Sequence, residues 1–262
     1  CFCPGLQSTR YPNAPWGELY AGDTGCPEGG FASSWGQVAP RLGITYNPGG
    51  GKTVFRLGGG IFYQPPFMEQ FNNMADSAPF SPQVQVFRVP LSNPYINTPN
   101  PFPGQFAPRI PASDVSFDIP LGLAVTYTPD WRPSRIVNWN VTVERQLSND
   151  VLVRASYVGS SGNHLSYNTD VNAPLPSATA TADDEDARRP YQDYGQITQN
   201  TSGVNSSFHA LQVSFEKRFS RNFNISANYT WSKSIDPVSY TTDLDTINII
   251  NPYNVNAYRG VS

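Results

Sequence analysis

The stretch NWNVTVERQL (138–147) decides the fold. Its odd positions, Trp139, Val141, Val143, Arg145 and Leu147, are apolar with one exception, and its even positions, Asn138, Asn140, Thr142, Glu144 and Gln146, are all polar. Successive side chains of a strand point to opposite faces, so this alternation writes one dry face and one wet face. After Ser148-Asn149-Asp150, residues Val151, Val153, Ala155 and Tyr157 continue the dry face, although Leu152 and Val158 soften the wet one. The design returns downstream: Leu211, Val213, Phe215 and Phe219 lead through Ser220-Arg221-Asn222 into Phe223, Ile225, Ala227, Tyr229 and Trp231. Opposite them lie Asn224, Ser226, Asn228, Thr230 and Ser232. Set side by side without gaps, VTVERQLSNDVLVRASYV (141–158) and VSFEKRFSRNFNISANYT (213–230) match at an offset of 72 residues. This is one hairpin used twice, at a spacing too long for a solenoid or propeller repeat.

Outward from these hairpins the signals weaken in a definite order. Leu42, Ile44 and Tyr46 alternate before NPGGG, and Thr53, Phe55, Leu57, Ile61 and Tyr63 alternate after it, with Gly58 to Gly60 weakening the second strand. The glycines of GSSG (159–162) predict a turn that returns the chain through Leu165, Tyr167 and Val171, and a polar strand is expected over 194–201. Strand pairs are thus placed near 38–63, 138–171 and 194–233. Residues 64–137 hold 14 of the 25 prolines and are read as a long loop with short extended pieces such as LGLAVTYT (121–128). Residues 173–193 are read as a second loop, and 1–35 as a loop-like segment at a truncated N-terminus. Strands of about ten residues, joined alternately by short turns and long polar loops, are the pattern of a transmembrane barrel. The expected fold is all-β: about eight antiparallel strands of a larger transmembrane β-barrel, occupying 36–262 and forming an open meander with unpaired edges.

Composition agrees. Charged residues make up 14% and aromatics 13% of the chain, with 21 Gly and 25 Pro. Average soluble domains carry roughly 25% charge. A formal net charge of −3 with scattered arginines offers no electrostatic footprint for nucleic acid. No run approaches the length of apolar sequence that a membrane helix needs, and the first twenty residues have neither the charged nor the apolar region of a signal peptide. Cys1, Cys3 and Cys26 allow one disulfide in an oxidising compartment and leave one thiol, in a pairing the sequence does not fix.

The dry face of the hairpins carries Trp139 and Trp231 near strand ends, with Tyr157 and Tyr229, where an aromatic ring meets apolar matter on one side and water on the other. That places the face against lipid, with a secreted β-sandwich adhesin or binding module as the second reading. The segments 39–63 (APRLGITYNPGGGKTVFRLGGGIFY), 138–165 and 206–236 resemble the barrel of TonB-dependent receptors, closest to the large Oar-like proteins of acidobacteria, and the final NPYNVNAYRGVS (251–262) resembles the approach to a further strand. The resemblance implies a barrel of about twenty-two strands in the outer membrane of a Gram-negative bacterium. It further implies a plug domain and TonB complex as partners in the full-length protein, and an extracellular ligand the sequence does not identify. Arg145 and Lys217, at equivalent positions of the two hairpins, are then expected to mark the periplasmic edge of the lipid band, their charged heads reaching for headgroups. The wet face, with Glu144, Arg154, Glu216, Arg218, Asn224, Asn228 and Thr230, is expected to line the lumen.

Catalytic chemistry finds no foothold. GGGKT (49–53) lacks the upstream glycine of a phosphate-binding loop, Tyr46 standing in its place, and reads as a hairpin turn. Asp23-Thr24-Gly25 lacks apolar flanks and a second copy, and reads as a turn. His164 and His209 lie in different strands without a ligand pattern, and Gly159-Ser160-Ser161-Gly162 fails the spacing of a nucleophile elbow. Asp183, Asp184, Glu185 and Asp186 lack calcium-loop spacing and are followed at once by Arg188 and Arg189. The chain is expected to be no enzyme, with no catalytic, cofactor or metal residue to nominate and its ligand-binding residues unassigned; a secreted hydrolase is the weakest of three readings.

Overall fold

The computed structural model describes residues 1–66, 68–81, 89–93, 95–96, 111–181, 183–220, 222–237 and 251–262. Parts of the loop read over 64–137, and Arg221 in the second hairpin turn, lie outside the described residues. Eight strands form one sheet: β1 (Arg41–Tyr46), β2 (Thr53–Gln64), β3 (Leu121–Tyr127), β4 (Ser134–Ser148), β5 (Val151–Asp170), β6 (Tyr194–Ser220), β7 (Phe223–Asp236) and β8 (Gly260–Val261). A helix, α1 (Met68–Ala75), precedes β3. The order is β1-β2-β4-β5-β6-β7-β8, every neighbour antiparallel, and the sheet does not close on itself. The connections β1–β2, β4–β5 and β6–β7 are short and fall at one end, and all longer connections fall at the other.

β3 departs from the expected meander. β6 continues past its last pairing with β7, at Ser207, up to Tyr194, and this exposed edge would stand unpaired. β3 lies along it in parallel, from Leu121 opposite Tyr194 to Tyr127 opposite Asn200. The reason is chemical: LGLAVTY has no proline inside it and buries Leu121, Leu123, Val125 and Tyr127, so it covers an edge that would otherwise offer free backbone groups.

The expected turn at 159–162 is also absent. β5 runs through it to Asp170, and its glycines serve side-chain packing instead. Gly159 is the cross-strand partner of Trp139, and a β-carbon there would stand 2.2 Å from the indole. Gly58 likewise opposes Asn140, whose amide oxygen would meet a β-carbon at 2.5 Å. The irregularity comes later, between Gly162 and Leu165, where the β5–β6 register shifts and His164 adopts φ 55°. Gly159→Ala is therefore expected to lower stability by about 1–3 kcal/mol by forcing the indole aside, whereas Gly195→Ala, with open space around it, should change little. Urea unfolding of the two variants in lipid vesicles measures the difference, and equal midpoints would reject the packing role.

The register puts the dry positions on one face. Ile44, Leu57, Val141, Tyr157, Leu211 and Trp231 are successive partners, as are Tyr46, Phe55, Val143, Ala155, Val213 and Tyr229. Most of these residues are exposed, Val141 by 40%, Leu211 by 41% and Tyr229 by 66%, with Phe55 and Val213 half-buried. The buried clusters lie elsewhere, at the loop end, around Leu123 with Ile197, Tyr11 with Tyr20, and Tyr127 with Trp131. A continuous uncovered apolar face of this kind requires an apolar solvent.

Pairing also reveals a stagger. Arg145 and Lys217 are equivalent in the repeat, yet Arg145 pairs with Val153, which pairs with Phe215, while Lys217 pairs with Val151. Equivalent positions thus slip by two residues over two strands. One residue of slip per strand, at about 3.4 Å of rise against about 4.8 Å of spacing, corresponds to a strand tilt of roughly 35°, within the range of membrane barrels. Allowing for this tilt, Arg145 and Lys217 sit at the same height. Relative to Trp139, Tyr157 is two residues lower but one strand further, Tyr229 four lower and three further, and Trp231 two lower and three further. Their heights thus differ from that of Trp139 by only about one residue each, which gathers the four rings into a single belt.

Candidate ligand-facing loop layer and lumen wall

Residues 1–35 contain no regular strand or helix but are packed, with Phe2, Tyr11, Ala14, Leu19, Tyr20 and Cys26 buried. Three devices hold them. A disulfide joins Cys1 to Cys26, leaving Cys3 as the free thiol. Asp23 organises the turn: one carboxylate oxygen accepts from Ser8 Oγ (2.6 Å) and the Tyr20 N–H (2.9 Å), the other from the Thr9 N–H (2.9 Å) and Thr9 Oγ1 (2.8 Å). Burial alone would raise this carboxyl, but the hydrogen bonds from Ser8, Tyr20 and Thr9 outweigh it and hold the pKa at about 2. The Asp-Thr-Gly triplet is therefore a turn anchor. Finally, Tyr194 at the start of β6 donates its hydroxyl to the carbonyls of Pro15 (3.0 Å) and Trp16 (3.2 Å), tying the segment to the strand extension.

Two buried polar clusters shape the rest of the layer. Asn172 is fully buried, donating to the carbonyls of Tyr191, Tyr194 and Gly195 and accepting from the Tyr191 N–H, so its amide substitutes for backbone partners that the loop cannot supply. Trp131 donates from Nε1 to Asn200 Oδ1 (2.7 Å) and Ser166 Oγ (2.9 Å), and Asn200 in turn donates to Asn168 Oδ1 (2.7 Å). In the acidic run 183–186, Arg188 pairs with Asp184 and Arg189 with Glu185 and Asp186, while Arg189 also reaches Asp170. Among the described residues no group of three or more His, Cys, Asp or Glu is placed to hold a metal ion.

Between the N-terminal segment, α1 and β3 lies a cavity of about 350 Å³. Its wall is largely apolar but also holds Glu28, Ser77 and Thr126, and Glu18, which is only 3% exposed. Burial pushes the Glu18 carboxyl up to about 7, against the smaller opposing effect of a hydrogen bond from Tyr20.

On the wet face of the strands, Glu144 accepts from Arg56 (3.1 Å) and Arg154 (2.8 Å), and Thr142 bonds Ser156 across the strands (2.9 Å). Two guanidinium groups share one carboxylate, which leaves this wall locally positive. Glu144, Arg154, Glu216, Asn228 and Thr230 share one face, as their parity predicted. At the turn end Lys217 does not extend freely. Its ammonium pairs with Asp150 (3.0 Å) and lies 4.3 Å from the centroid of Phe223. Hydrogen bonds from Ser148, Ser220 and Lys217 hold the Asp150 carboxyl below the usual carboxylate range. His209 on the lipid side bonds the hydroxyl of Tyr157 (2.7 Å), and GGGKT lies at a hairpin turn whose Gly51 N–H donates to Asn47 Oδ1 (3.0 Å).

Sequence reading missed Glu18, Trp131 and Asn172. Trp131 and Asn172 act through partners far along the chain, which no local spacing announces.

A family profile described as outer membrane beta barrel domain matches residues 5–262. No curated protein matches the sequence significantly. Among solved structures, the outer membrane transporter YddB from Escherichia coli matches with 12% identity and a TM-score of 0.42. The match covers 72% of this chain and 18% of that one, so this chain spans less than a fifth of the transporter's length.

Proposed function

Because this chain belongs to the outer membrane β-barrel domain family and lies in the outer membrane, we propose that it forms part of the barrel of a TonB-dependent-type receptor that moves a ligand across that membrane. The observation that carries this reading is the division of labour along the strands: a lipid band with short turns below, and a built, disulfide-stapled loop layer above. A barrel serving only as an anchor has no use for buried Asn172, Trp131 and Asp23 networks in its loops. The loops are the ligand-facing end, and the positive wall around Arg56, Glu144 and Arg154 faces the plug domain of the full-length protein. The chain carries out no catalysis in this reading.

Energy coupling is tested with the full-length protein in detergent and the purified periplasmic domain of TonB. Capture of the receptor on immobilised TonB is the expected result. Absence of capture, with the barrel folded by heat-modifiability on gels, would reject TonB dependence.

A further inference from the structure

The lipid-facing wall changes character at its loop edge. Trp139, Gly159, His209 and Lys233 are successive cross-strand partners of β4, β5, β6 and β7. With one residue of stagger per strand, His209 stands about two residues and Lys233 about three above Trp139, at about 3.4 Å of rise each, and Arg135 stands above Trp139 on the same strand. All three share the parity of the dry face and sit just above the aromatic belt, where headgroups replace acyl chains. His209 and Lys233 are exposed and Arg135 is half-buried. His209 is held in place: its Nδ1 meets the Tyr157 hydroxyl at 2.7 Å, and its ring stacks on Tyr157 beside the Trp139 indole. When Tyr157 donates to Nδ1, Nε2 carries the hydrogen and is left to donate outward. No Asp or Glu stands on the dry parity of these strands, and among the described residues neither Lys233 nor Arg135 is in an ion pair. Elsewhere in the sheet the cations are answered by protein: Arg56 and Arg154 share Glu144, and Lys217 holds Asp150. The turn edge of the dry face thus leaves Arg145 alone unpaired, whereas the loop edge presents two cations and an imidazole.

We propose that this row is a docking surface for anionic, phosphate-bearing lipids of the outer leaflet. Lys233 and His209, neighbours across two strands, donate to one headgroup phosphate, and Arg135, three strands away, extends the footprint toward the next. The acyl chains lie below, along Leu211 and Val141. Charge selects the class: a zwitterionic headgroup brings its own cation, which the row repels, whereas an anionic one brings only acceptors. The strands concerned lie inside the sheet, so the surface depends on neither open edge. It needs the lipid-facing wall and not energy coupling, so failure of TonB capture leaves it standing.

The test presents the full-length protein in detergent with equal amounts of dioleoyl phosphatidic acid and dioleoyl phosphatidylcholine and reads the ratio of retained lipids by native mass spectrometry. Phosphatidic acid is expected to be favoured by at least about fivefold, as a well-placed cation at a membrane surface implies, and the ratio should fall as ammonium acetate is raised. Lys233→Gln together with Arg135→Gln should bring the ratio near unity, and Lys233→Gln alone should lower it by at least about twofold. Adding Gln212→Arg to the double variant, which returns a cation to the wet face, should not restore the preference. Heat-modifiability on gels checks that each barrel is folded. Equal retention of the two lipids by the wild type, an unchanged ratio in the folded single or double variant, or recovery with Gln212→Arg would each overturn the surface.

Discussion

Val143→Arg should impair insertion into the outer membrane, while Gln212→Arg should be tolerated. Val143 lies on the dry face, two residues from Arg145 toward the strand centre and four from Trp139, so it falls near the middle of the band between the charged edge and the aromatic belt. Gln212 is exposed on the opposite, wet face of a strand in the same sheet. A guanidinium on the lipid face costs about 2–4 kcal/mol at the midplane and about 0–1 kcal/mol near the interface. Arg145 shows that the edge accepts this charge, and only the two-residue move makes it expensive. The readout is the fraction of full-length protein that resists heat denaturation on gels after extraction from the outer membrane. Equal fractions for Val143→Arg and Gln212→Arg would mean that the dry face does not meet lipid.

The strands were legible because their code is local. Alternation from Trp139 to Leu147 and from Phe223 to Trp231 states which side chains share a face, and the register of the sheet keeps that parity across β2, β4, β5, β6 and β7. The glycines misled for a physical reason. In loops a glycine run signals freedom of the backbone, but at Gly159 and Gly58 it signals the bulk of a neighbour on another strand, Trp139 or Asn140, which the one-dimensional pattern does not contain. β3 was visible as an extended piece but not its partner, since the edge it covers exists only because β6 outruns β7.

The loop layer was read as loop, which its lack of regular structure justifies, yet it holds the buried clusters of the described residues. Its order comes from pairs such as Tyr194 with Pro15 and Arg189 with Asp170, the first separated by 179 residues. Cysteine count allowed one disulfide without fixing its pairing, and the fold brings Cys1 to Cys26 with a Cα separation of 5.8 Å. Glu18 was invisible because nothing in GELY distinguishes a solvated glutamate from one sealed under Tyr20.

That glutamate gives the loop layer a pH dependence of predictable sign. Its pKa rises from an ordinary 4.5 to about 7 in the folded segment, chiefly through burial. The titratable groups facing it are Tyr20 and Tyr194. A carboxyl with a raised folded pKa binds more protons in the folded than in the opened state, so its contribution is fully present below the ordinary value and declines as pH rises through about 7. The full difference corresponds to roughly 3 kcal/mol of local stability. The N-terminal segment is therefore expected to open more readily at pH 8 than at pH 5. Asp23 adds nothing in this window, because its pKa of about 2 lies below it and its contribution is lost only in stronger acid. Hydrogen exchange of the amides in residues 1–30, corrected for the intrinsic pH dependence of exchange, measures the opening free energy at both pH values. Comparison with Glu18→Gln isolates the contribution of this carboxyl. The wild type should lose protection between pH 5 and 8 and Glu18→Gln should not; the same loss in both would assign the pH dependence to another group.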